Sequence, residues 1–424
     1  MKKQLLSRVS SLILCAALAL SLCSCAAGSS SGSADLPVSQ SAPASPQPAA
    51  SAAPDLPAQP AGEYRAMWVS YLEWQSFDFS SESAFTSQVQ TLMQNCADLG
   101  CNTVIAQVRP FADALYPSDL FPWSHVMSGA QGDDPGFDPL AVLVHEAHAQ
   151  NLQLEAWINP YRVALNASTP GAMANDSLLY THNDWIKASG EGYYLNPALP
   201  EVRDFICQGV AEIVQNYEVD GIHFDDYFYP TTDPAFDETD YAAAASPLSL
   251  EDWRRENVNA LVSQVYKTIK GIRPACRFGI SPQGNNSNNY NGQFSDVALW
   301  LSTPGYVDYI MPQVYWGYGY TTKSGSTDYA FEKVTATWAA LPRDASVSLY
   351  FGLGAYRIGD GDGGNYDHNT DQWNTGHELA DMLSTLRQAG GQGYALYRYD
   401  FLYKNGSYPD LAAAECAALT QANR

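Results

Sequence analysis

From residue 64 to the C-terminus, strand-like and helix-like segments alternate with a regularity that few folds accommodate. Runs of β-branched and aromatic residues are followed by amphipathic stretches, a pattern typical of parallel strands joined by helices. Eight strands are predicted, at residues 64–71, 103–109, 152–158, 219–225, 276–281, 307–314, 346–353 and 393–398. The predicted helices include Ser83–Leu99, Pro139–Gln150, Pro200–Tyr217, Leu250–Ile272, Tyr329–Ala340 and His377–Ala389.

Eight such units over about 360 residues predict an α/β fold, namely a single (β/α)8 TIM barrel. A doubly wound sheet is the alternative, but no glycine-rich phosphate loop follows the first strand. Active sites on this fold lie at the carboxyl ends of the strands. If the chain is a barrel, its functional residues should therefore follow the predicted strands.

The eight predicted strand ends do carry polar and aromatic residues, whereas the opposite ends are ordinary. These ends are Ser70–Trp74, Gln107–Asp113, Trp157–Arg162, Asp225–Pro230, Ser281–Asn286, Met311–Trp316, Ala355–Arg357 and Tyr397–Asp400. The sequence therefore predicts that these side chains converge on one rim of the barrel.

The fourth of these ends, within the stretch Asp220–Pro230, is the most informative. A predicted buried strand there ends in two adjacent carboxylates, Asp225 and Asp226, which are followed by three aromatic residues and a proline. An unpaired carboxylate inside a core costs several kcal/mol, so such a strand usually ends at a solvent-filled pocket. Glycosidases cleave sugars with paired carboxylates. For this segment alone, acids that cap the next helix or pair with an arginine are an equally good interpretation.

Several segments along the chain together resemble the glycosyl-hydrolase-like 10 family of bacterial exported proteins. They are Arg65–Ser70, Asn102–Arg109, Ala156–Arg162, Asp220–Pro230, Trp253–Val258, Gly279–Pro282 and Met311–Trp316. The resemblance spans nearly all of residues 63–400. It implies a TIM barrel of glycoside hydrolase ancestry, association with the bacterial cell wall, and hydrolysis of the glycan strands of peptidoglycan.

The stretch Asp220–Asp225 is also similar to the fourth strand of chitinase-like barrels, which reads DGxDxDxE. In that register Asp225 matches the last aspartate and His223 replaces the preceding one. Tyr227 occupies the position of the glutamate that serves as general acid. This departure puts a substrate-assisted chitinase mechanism in doubt and leaves a mechanism with two carboxylates.

Asp225 is the predicted principal catalytic carboxylate, as nucleophile or base. Adjacent strand residues point in opposite directions, so a regular strand brings only one of Asp225 and Asp226 into the barrel mouth. Asp226 is then either the partner of Asp225 on a turn or an acid behind it that fixes arginine or tyrosine groups. Glu73 after the first strand is the preferred candidate for the second catalytic carboxyl group, with Asp400 after the eighth strand as the other candidate.

The other rim residues are predicted to bind the substrate. Arg109 and Arg162 suit a lactyl or peptide carboxylate, or could pair with Asp225. Trp68 and Trp157 lie inside strands, and core packing is the preferred interpretation for them. The remaining predicted binding residues offer hydrogen-bonding groups or aromatic faces, and are Asn159, Tyr161, His223, Tyr227, Gln313, Tyr315, Trp316 and Asp400, with Trp74 and Asn285 as further candidates.

The N-terminus is predicted to be a targeting segment that lies outside the fold. A positively charged start and an apolar run precede Ser24-Cys25, which fits a bacterial lipobox with Cys25 as the lipidated residue. The predicted organisation is a lipoprotein signal peptide at 1–24, a disordered linker rich in Ala, Ser and Pro at 25–62, and a catalytic domain at 63–424. The protein is thus predicted to be extracytoplasmic and lipid-anchored to the cell membrane. An ordinary secretory peptide is the alternative.

The net charge of the chain limits the classes of molecule that it is expected to bind. The chain carries 45 acidic against 22 basic residues, a formal charge of −23. This charge argues against nucleic acid as a partner and against adhesion to anionic lipid through a basic patch. The five cysteines beyond the signal segment lack CxxC spacing, so neither a zinc site nor a disulfide framework is predicted.

No cofactor or metal is predicted. The segment His145–His148 lacks HExxH spacing. The acidic loop at 359–371 has calcium-loop composition without the EF-hand order of ligands, so calcium there is only the alternative to a flexible loop.

The predicted function is a membrane-anchored glycoside hydrolase acting on a cell-wall polysaccharide. The alternative is a carbohydrate-binding lipoprotein that has lost catalysis. A deacetylase or peptidase would need a metal cluster or an activated nucleophile, and the sequence indicates neither.

Overall fold

The computed structural model describes residues 62–165, 173–363 and 371–424. The predicted signal peptide, nearly all of the linker and Cys25 lie outside these residues, as does the greater part of the acidic loop at 359–371. Within the described ranges, no helix combines the length and the apolar character needed to cross a membrane.

Thirteen β-strands occur within the described residues. They are β1 (Tyr64–Val69), β2 (Thr103–Arg109), β3 (Gln153–Ile158), β4 (Arg162–Ala164), β5 (Ile186–Ser189), β6 (Gly192–Leu195), β7 (Gly221–Phe224), β8 (Arg277–Ile280), β9 (Tyr309–Ile310), β10 (Gln313–Val314), β11 (Ser348–Leu349), β12 (Phe351–Gly354) and β13 (Gly393–Tyr397). Strands β4, β5 and β6 form a small antiparallel sheet, and the other ten form one parallel sheet.

The parallel sheet forms the eight-staved barrel that the sequence predicts. Its order runs β1, β2, β3, β7 and β8, then two staves that are each divided into two short strands, β9 with β10 and β11 with β12. The strand β9 pairs with β11, and β10 pairs with β12, so these two staves meet along both halves. Pairing of β12 with β13, and of β13 with β1, completes the ring.

The sixth and seventh staves are less continuous than the predicted strands at 307–314 and 346–353. The sixth is interrupted at Met311-Pro312, where proline has no N–H group to donate to a neighbouring strand. The seventh is interrupted at Tyr350. Because β10 resumes after the proline, Gln313 still reaches the carboxyl-end rim.

Fourteen α-helices lie within the described residues. They are α1 (Tyr71–Trp74), α2 (Glu82–Leu99), α3 (His125–Ser128), α4 (Pro139–Ala149), α5 (Leu178–Thr181), α6 (Pro200–Asn216), α7 (Glu238–Ala244), α8 (Leu250–Ile272), α9 (Asn286–Gly292), α10 (Val297–Ser302), α11 (Phe331–Ala339), α12 (Glu378–Gln388), α13 (Tyr399–Tyr403) and α14 (Pro409–Ala422). The six predicted helices match α2, α4, α6, α8, α11 and α12 to within two residues at each end.

Local sequence explains where the long helices begin and end. The Ser81 hydroxyl accepts a hydrogen bond from the Ala84 amide at the start of α2, and Gly100 ends that helix at φ +88°, a conformation that favours glycine. The Ser249 hydroxyl caps α8 in the same way by accepting from the Asp252 amide. These caps satisfy backbone groups that the first and last helical turns leave without partners.

Two apolar clusters form the core. The larger joins outward-facing strand residues such as Ile222 and Phe224 to helix residues such as Leu261. The smaller fills the barrel interior with Tyr64, Ala66, Trp68, Ile105, Trp157, Tyr309, Met311, Tyr350 and Ala395. The interior also depends on Gly279, because a Cβ atom there would lie 1.8 Å from the ring of Tyr309.

A buried ion pair fixes the segment that follows β7. Arg254 on α8 donates through Nε to the two carboxylate oxygens of Asp237 at 3.0 and 3.1 Å. The same guanidinium donates to the backbone oxygens of Thr232 and Asp233, and both members of the pair are almost fully buried. The loop that leaves the Asp225-Asp226 pair is thereby held from its far end.

The carboxyl groups of Glu378 and Glu415 form a buried pair at the start of α12. The Glu415 carboxylate accepts hydrogen bonds from the backbone amides of Glu378 and Leu379 at 2.6 and 3.2 Å. Burial, together with the negative charge of Glu415, raises the pKa of Glu378 to about 7. The folded protein therefore holds protons that the unfolded chain releases at lower pH.

Glu378→Gln is expected to increase the free energy of unfolding at alkaline pH. An unfolded glutamate titrates at about 4.3, so between that pH and about 7 the folded state binds more protons and its stability falls as pH rises. The glutamine variant does not lose stability in this way. Above pH 7 its free energy of unfolding should therefore exceed that of the wild type by about 1–3 kcal/mol. Denaturant unfolding at pH 5 and pH 8 measures it, with exposed Glu191→Gln as the control. An equal effect of Glu378→Gln at both pH values would contradict the assignment.

Candidate active site

A cavity of about 370 Å³ opens at the carboxyl ends of the barrel strands. This volume lies within the range of roughly 300–1,000 Å³ that is usual for small-ligand sites. The aromatic part of its wall consists of Trp68, Trp157, Tyr227, Tyr315, Tyr356, Tyr397 and Phe401. Its polar lining consists of Asp225, Asp226, Ser281, Gln313 and Arg398, and Leu72 completes the wall.

Asp225 is the deeper of the two aspartates, with 3% of its surface exposed. It continues the inward-facing alternation of β7 after Gly221 and His223. Its Oδ2 accepts hydrogen bonds from Trp157 Nε1 at 3.1 Å and Asn159 Nδ2 at 3.2 Å. Its Oδ1 accepts one from the Tyr227 amide at 3.2 Å. Three donors therefore hold the carboxylate in one orientation at the cavity wall.

Asp226 also faces the cavity, because β7 ends at Phe224 and the chain turns before strand alternation would direct the side chain outward. Its Oδ2 accepts a hydrogen bond from Gln283 Nε2 at 2.9 Å, and its Oδ1 accepts one from Gln313 Nε2 at 3.1 Å. Of the two roles considered for Asp226, this placement favours the partner on a turn.

Burial raises the pKa of both aspartates above the ordinary aspartate value. For Asp225, burial and then the neighbouring Asp226 charge raise the pKa to about 7, although Arg162 acts in the opposite direction. Two carboxylates this close resist simultaneous ionisation, so near neutral pH the pair retains a proton. The site thus contains both a proton donor and an ionised carboxylate, which are the groups that acid–base catalysis requires.

A reaction that needs the proton retained by the pair is expected to slow as the pH rises through about 7. Above that pH the pair loses its proton and with it the general acid, whereas in acid both carboxyl groups become protonated. Gln283→Met removes a donor to the Asp226 carboxylate, which raises the pKa of that group, and should move the alkaline limb to higher pH. The profile of kcat/KM against pH is the measurement. An alkaline limb that this variant leaves in place would contradict the assignment.

A second cavity of about 390 Å³ adjoins the first. Asp226, Gln313, Tyr315 and Tyr356 line both. The second cavity adds side chains suited to sugar hydroxyl and amide groups, namely Gln283, Asn285, Asn288, Trp316, Tyr329 and Arg357. Among the described residues that line the two cavities, Asp225 and Asp226 are the carboxylates, and only Asp226 lies at the junction.

Arg162 forms the centre of an aromatic cluster next to the first cavity. Its guanidinium lies 4.9 Å from the ring centre of Tyr227 and 4.8 Å from that of Phe111, with Tyr71 at 5.8 Å. Its Nε donates to the Pro110 carbonyl oxygen. The positive charge of Arg162 lies close enough to lower the pKa of Asp225.

His223 lies beneath the cavity, and the structure does not place it in the lining. Its Nε2 accepts from Trp68 Nε1 at 3.3 Å, since an indole nitrogen can only donate, and its Nδ1 contacts the Tyr309 hydroxyl at 2.7 Å. Burial lowers the pKa of His223 to about 3, so the imidazole is neutral. The predicted substrate contact is replaced by a structural role, because His223 fixes the orientation of Trp68.

Glu73 is fully buried and does not line either cavity. Its Oε2 accepts hydrogen bonds from the Ser70 amide and hydroxyl at 2.8 and 2.7 Å, and its Oε1 forms an ion pair with Arg398. This arrangement departs from the predicted proton donor. Glu73 caps α1 and holds Arg398, whose side chain does line the cavity.

Three further predicted binding residues lie away from both cavities. Arg109 points outward from β2 and packs over the ring of Phe121 at 4.3 Å. Tyr161 is buried against Phe228. Asp400 lies 3.8 Å from Arg398 and 3.4 Å from Lys404, and it lines neither cavity. Each was inferred from its place after a strand, which does not tell which way a side chain points.

The aromatic residues divide only in part as predicted. Trp68 and Trp157 are buried in the barrel interior, as the core interpretation predicts, and they also line the cavity, where Trp157 donates to Asp225. Trp74, considered as a sugar-binding face, is fully buried and donates to the Gln107 carbonyl oxygen at 2.8 Å. Tyr227, Tyr315 and Trp316 do reach the two cavities.

Sequence reasoning missed several residues of the site. Tyr356, Tyr397 and Arg398 fall in the rim segments that were recognised after the seventh and eighth strands, but no role was assigned to them. Gln283 lies in the rim segment after the fifth strand and binds Asp226. Gln293 also donates to Asp226, at 3.4 Å, and no pattern in the sequence pointed to it. In the described part of the chain, no group of three or more His, Cys, Asp or Glu side chains is arranged to hold a metal ion.

A TIM barrel that carries a buried carboxylate pair among aromatic rings at its carboxyl-end rim is the architecture of a glycoside hydrolase. The chain belongs to the glycosyl-hydrolase-like 10 family, whose model matches residues 63–370. It is an enzyme of the glycoside hydrolase type.

Curated relatives share this classification. Over 354 residues, the chain is 35% identical to glycosyl hydrolase YngK of Bacillus subtilis, a match that covers 78% of this chain and 67% of the relative. It is also 35% identical over 350 residues to glycosyl hydrolase DigH of Escherichia coli K12, covering 74% of this chain and 78% of the relative.

Solved structures resemble the fold. The PgaB (BpsB) glycoside hydrolase domain from Bordetella bronchiseptica has a TM-score of 0.51 at 13% identity, covering 83% of this chain and 98% of that one. The endo-1,4-beta-mannanase from Rhizomucor miehei has a TM-score of 0.52 at 12% identity, covering 85% and 95%. At such low identity the likeness concerns the barrel alone.

Proposed function

We propose that this protein is a membrane-anchored glycoside hydrolase that cleaves the glycan strands of the bacterial cell wall. The observation that carries the proposal is the Asp225-Asp226 pair, since these are the carboxylates that line the two adjoining cavities among the described residues. Both have a raised pKa, and aromatic rings surround them.

The arrangement can perform acid–base catalysis at a glycosidic bond. The proton that the pair retains near neutral pH passes to the departing glycosidic oxygen, and the ionised carboxylate stabilises the positive charge that develops on the sugar ring. Trp157 and Asn159 fix the Asp225 carboxylate, while Gln283 and Gln313 fix that of Asp226. Such fixed groups stabilise the transition state without reorganising during the reaction.

Two adjoining cavities support action within a polymer. A chain of sugars could occupy both at once, with the bond to be cleaved near Asp226, which lies at their junction. The family resemblance favours a cell-wall glycan as that polymer, and two relatives named glycosyl hydrolases agree with the reaction.

The substrate is tested by incubating the purified full-length protein with peptide-free glycan strands and, separately, with intact sacculi. Soluble oligosaccharides released from the peptide-free strands are the expected result, measured by chromatography and mass spectrometry. Release from neither material would contradict the proposed function and would favour a carbohydrate-binding protein without catalysis.

Anchoring is expected to depend on Cys25. Lipid attached to this residue would hold the catalytic domain at the membrane surface, close to the cell wall. Cys25→Ser should move the protein from the membrane fraction to the soluble extracytoplasmic fraction, as measured by fractionation and immunoblotting. Cys23→Ser is the matched control, and it should leave the distribution unchanged. An unchanged distribution of Cys25→Ser would contradict lipidation at that site.

A further inference from the structure

We propose, on the basis of the function proposed above, that the second cavity is a subsite for a sugar bearing a carboxylate, and that Arg357 recognises this carboxylate. The substrate class is accordingly a glycan with acidic substituents. Lactyl ethers on the sugar and peptide stems attached to it are the two sources of such a carboxylate in a cell-wall glycan.

Arg357 reaches the second cavity from a different part of the barrel than the catalytic pair does. It follows β12, which belongs to the seventh stave, whereas Asp226 follows β7, the fourth. Both side chains line the cavity. The cavity therefore has a negative group on one stave and a positive group three staves further round the rim.

Neutral groups hold the guanidinium of Arg357 in place. Its Nε donates to the Tyr315 carbonyl oxygen at 3.1 Å, and its Nη1 donates to the Gly361 carbonyl oxygen at 3.3 Å. The guanidinium also lies 4.6 Å from the ring centre of Tyr356. A guanidinium carries five N–H groups, so the two hydrogen bonds that it makes to described residues leave donors for a bidentate ligand.

The charge of Arg357 is not matched in the way that the charge of Arg398 is. Arg398, in the lining of the first cavity, forms an ion pair with Glu73. Within the described residues, Arg357 forms only the two hydrogen bonds to carbonyl oxygens and no ion pair. Asp362, on the loop that follows Arg357, accepts a hydrogen bond from the Gly317 amide at 3.0 Å. A charge that is partly shielded from water is stabilised by an opposite charge, and a ligand carboxylate would supply it.

The rest of the second cavity suits a sugar. Gln283, Asn285 and Asn288 present amide groups, which pair with hydroxyl and acetamido groups. The Trp316 ring, whose centre lies 5.1 Å from that of Tyr329, adds an apolar face. A volume of about 390 Å³ is larger than an isolated carboxylate needs. The guanidinium should therefore bind one substituent of a larger ligand.

The test measures the affinity of the full-length protein for glycan tetrasaccharides by isothermal titration calorimetry. Asp225→Asn is present in every sample, so that the ligand is not consumed. One peptide-free tetrasaccharide carries free lactyl carboxylates, and a second has them converted to neutral methylamides. The carboxylate form should bind about 10-fold to 100-fold more tightly, the range expected for hydrogen bonds between charged groups.

A third tetrasaccharide, whose lactyl groups are joined to peptide stems, distinguishes the two sources of the carboxylate. If it binds as tightly as the carboxylate form, and Arg357→Gln removes this affinity, the stem supplies the carboxylate. If it binds no more tightly than the methylamide form, the lactyl group supplies it.

Arg357→Gln should bring the dissociation constants of the carboxylate and methylamide forms to within about threefold of each other. Arg357→Lys keeps the charge without the planar fork and should retain part of the preference. The control is Arg343→Gln, which removes an exposed arginine beside Gln392, before β13, and should leave the preference unchanged. The ratio is decisive, because a purely structural role for Arg357 would weaken the binding of both ligands equally.

Two outcomes would overturn the proposal. One is equal affinity for all three tetrasaccharides, and the other is a preference for the carboxylate that Arg357→Gln leaves intact. Both are compatible with cleavage of glycan strands by the wild-type protein, so they leave the proposed function in place. Failure of the wild type to cleave any glycan would instead remove the proposed function, while the affinity ratio would still decide whether the second cavity binds an acidic sugar.

Discussion

Asp225→Asn is expected to lower kcat/KM for glycan hydrolysis by about 10³-fold or more, because the variant loses the carboxylate that stabilises the developing positive charge. The asparagine has nearly the same shape as the aspartate and can still accept hydrogen bonds from Trp157 and Asn159 through its carbonyl oxygen. The fold should therefore persist. Initial rates of oligosaccharide release, with circular dichroism to verify folding, provide the measurement.

Asp226→Asn is the companion variant. It should lower kcat/KM on glycan strands by a similar factor, about 10²-fold to 10⁴-fold, because it removes the proton donor. The matched control is Asp133→Asn, which makes the same chemical change at an exposed position. Equal product release by the wild type and a folded Asp225→Asn variant would contradict the catalytic assignment of this aspartate.

Arg254→Met is expected to lower the free energy of unfolding by about 3–5 kcal/mol, because it leaves the Asp237 carboxylate buried without its partner. The arginine also donates to two backbone oxygens of the loop that follows the catalytic pair. Loss of these contacts should loosen the loop as well. Chemical denaturation monitored by tryptophan fluorescence measures the change.

An exposed ion pair supplies the control for this prediction. Lys187 and Asp240 lie 2.9 Å apart with about a quarter of each side chain exposed, so Lys187→Met should cost less than about 1 kcal/mol. The double variant Arg254→Met with Asp237→Leu removes both buried charges and should recover part of the loss. A cost for Arg254→Met no larger than that for Lys187→Met would contradict the structural role of the buried pair.

The barrel was predictable because its evidence is distributed along the whole chain. Alternating strand and helix patterns recur eight times, and caps such as Ser249 and Gly100 mark helix ends locally. The divided sixth and seventh staves were not predicted, although Pro312 gave a local reason for the first interruption. The propensity of a segment for strand does not reveal how far its neighbours will pair with it.

The centre of the site was predictable, but most of its surroundings were not. Asp225 and Asp226 stood out because adjacent acids at the end of an apolar strand are expensive to bury. Glu73 and Arg109 occupied similar positions after their strands, yet one turns into a helix cap and the other faces the helix layer. Side-chain direction at a strand end depends on where pairing stops, and tertiary contacts decide that. His223 shows the same limit, since its role depends on Trp68 and Tyr309 from distant strands.

The central claim is that the aspartate pair hydrolyses a glycan, and the most direct test is mass spectrometry of products formed in water labelled with heavy oxygen. Peptide-free glycan strands treated with the wild-type protein should yield soluble oligosaccharides that each carry one labelled oxygen at the new reducing end. The same strands treated with Asp225→Asn should yield almost none. Absence of soluble products from the wild type, or products without the label, would contradict the account.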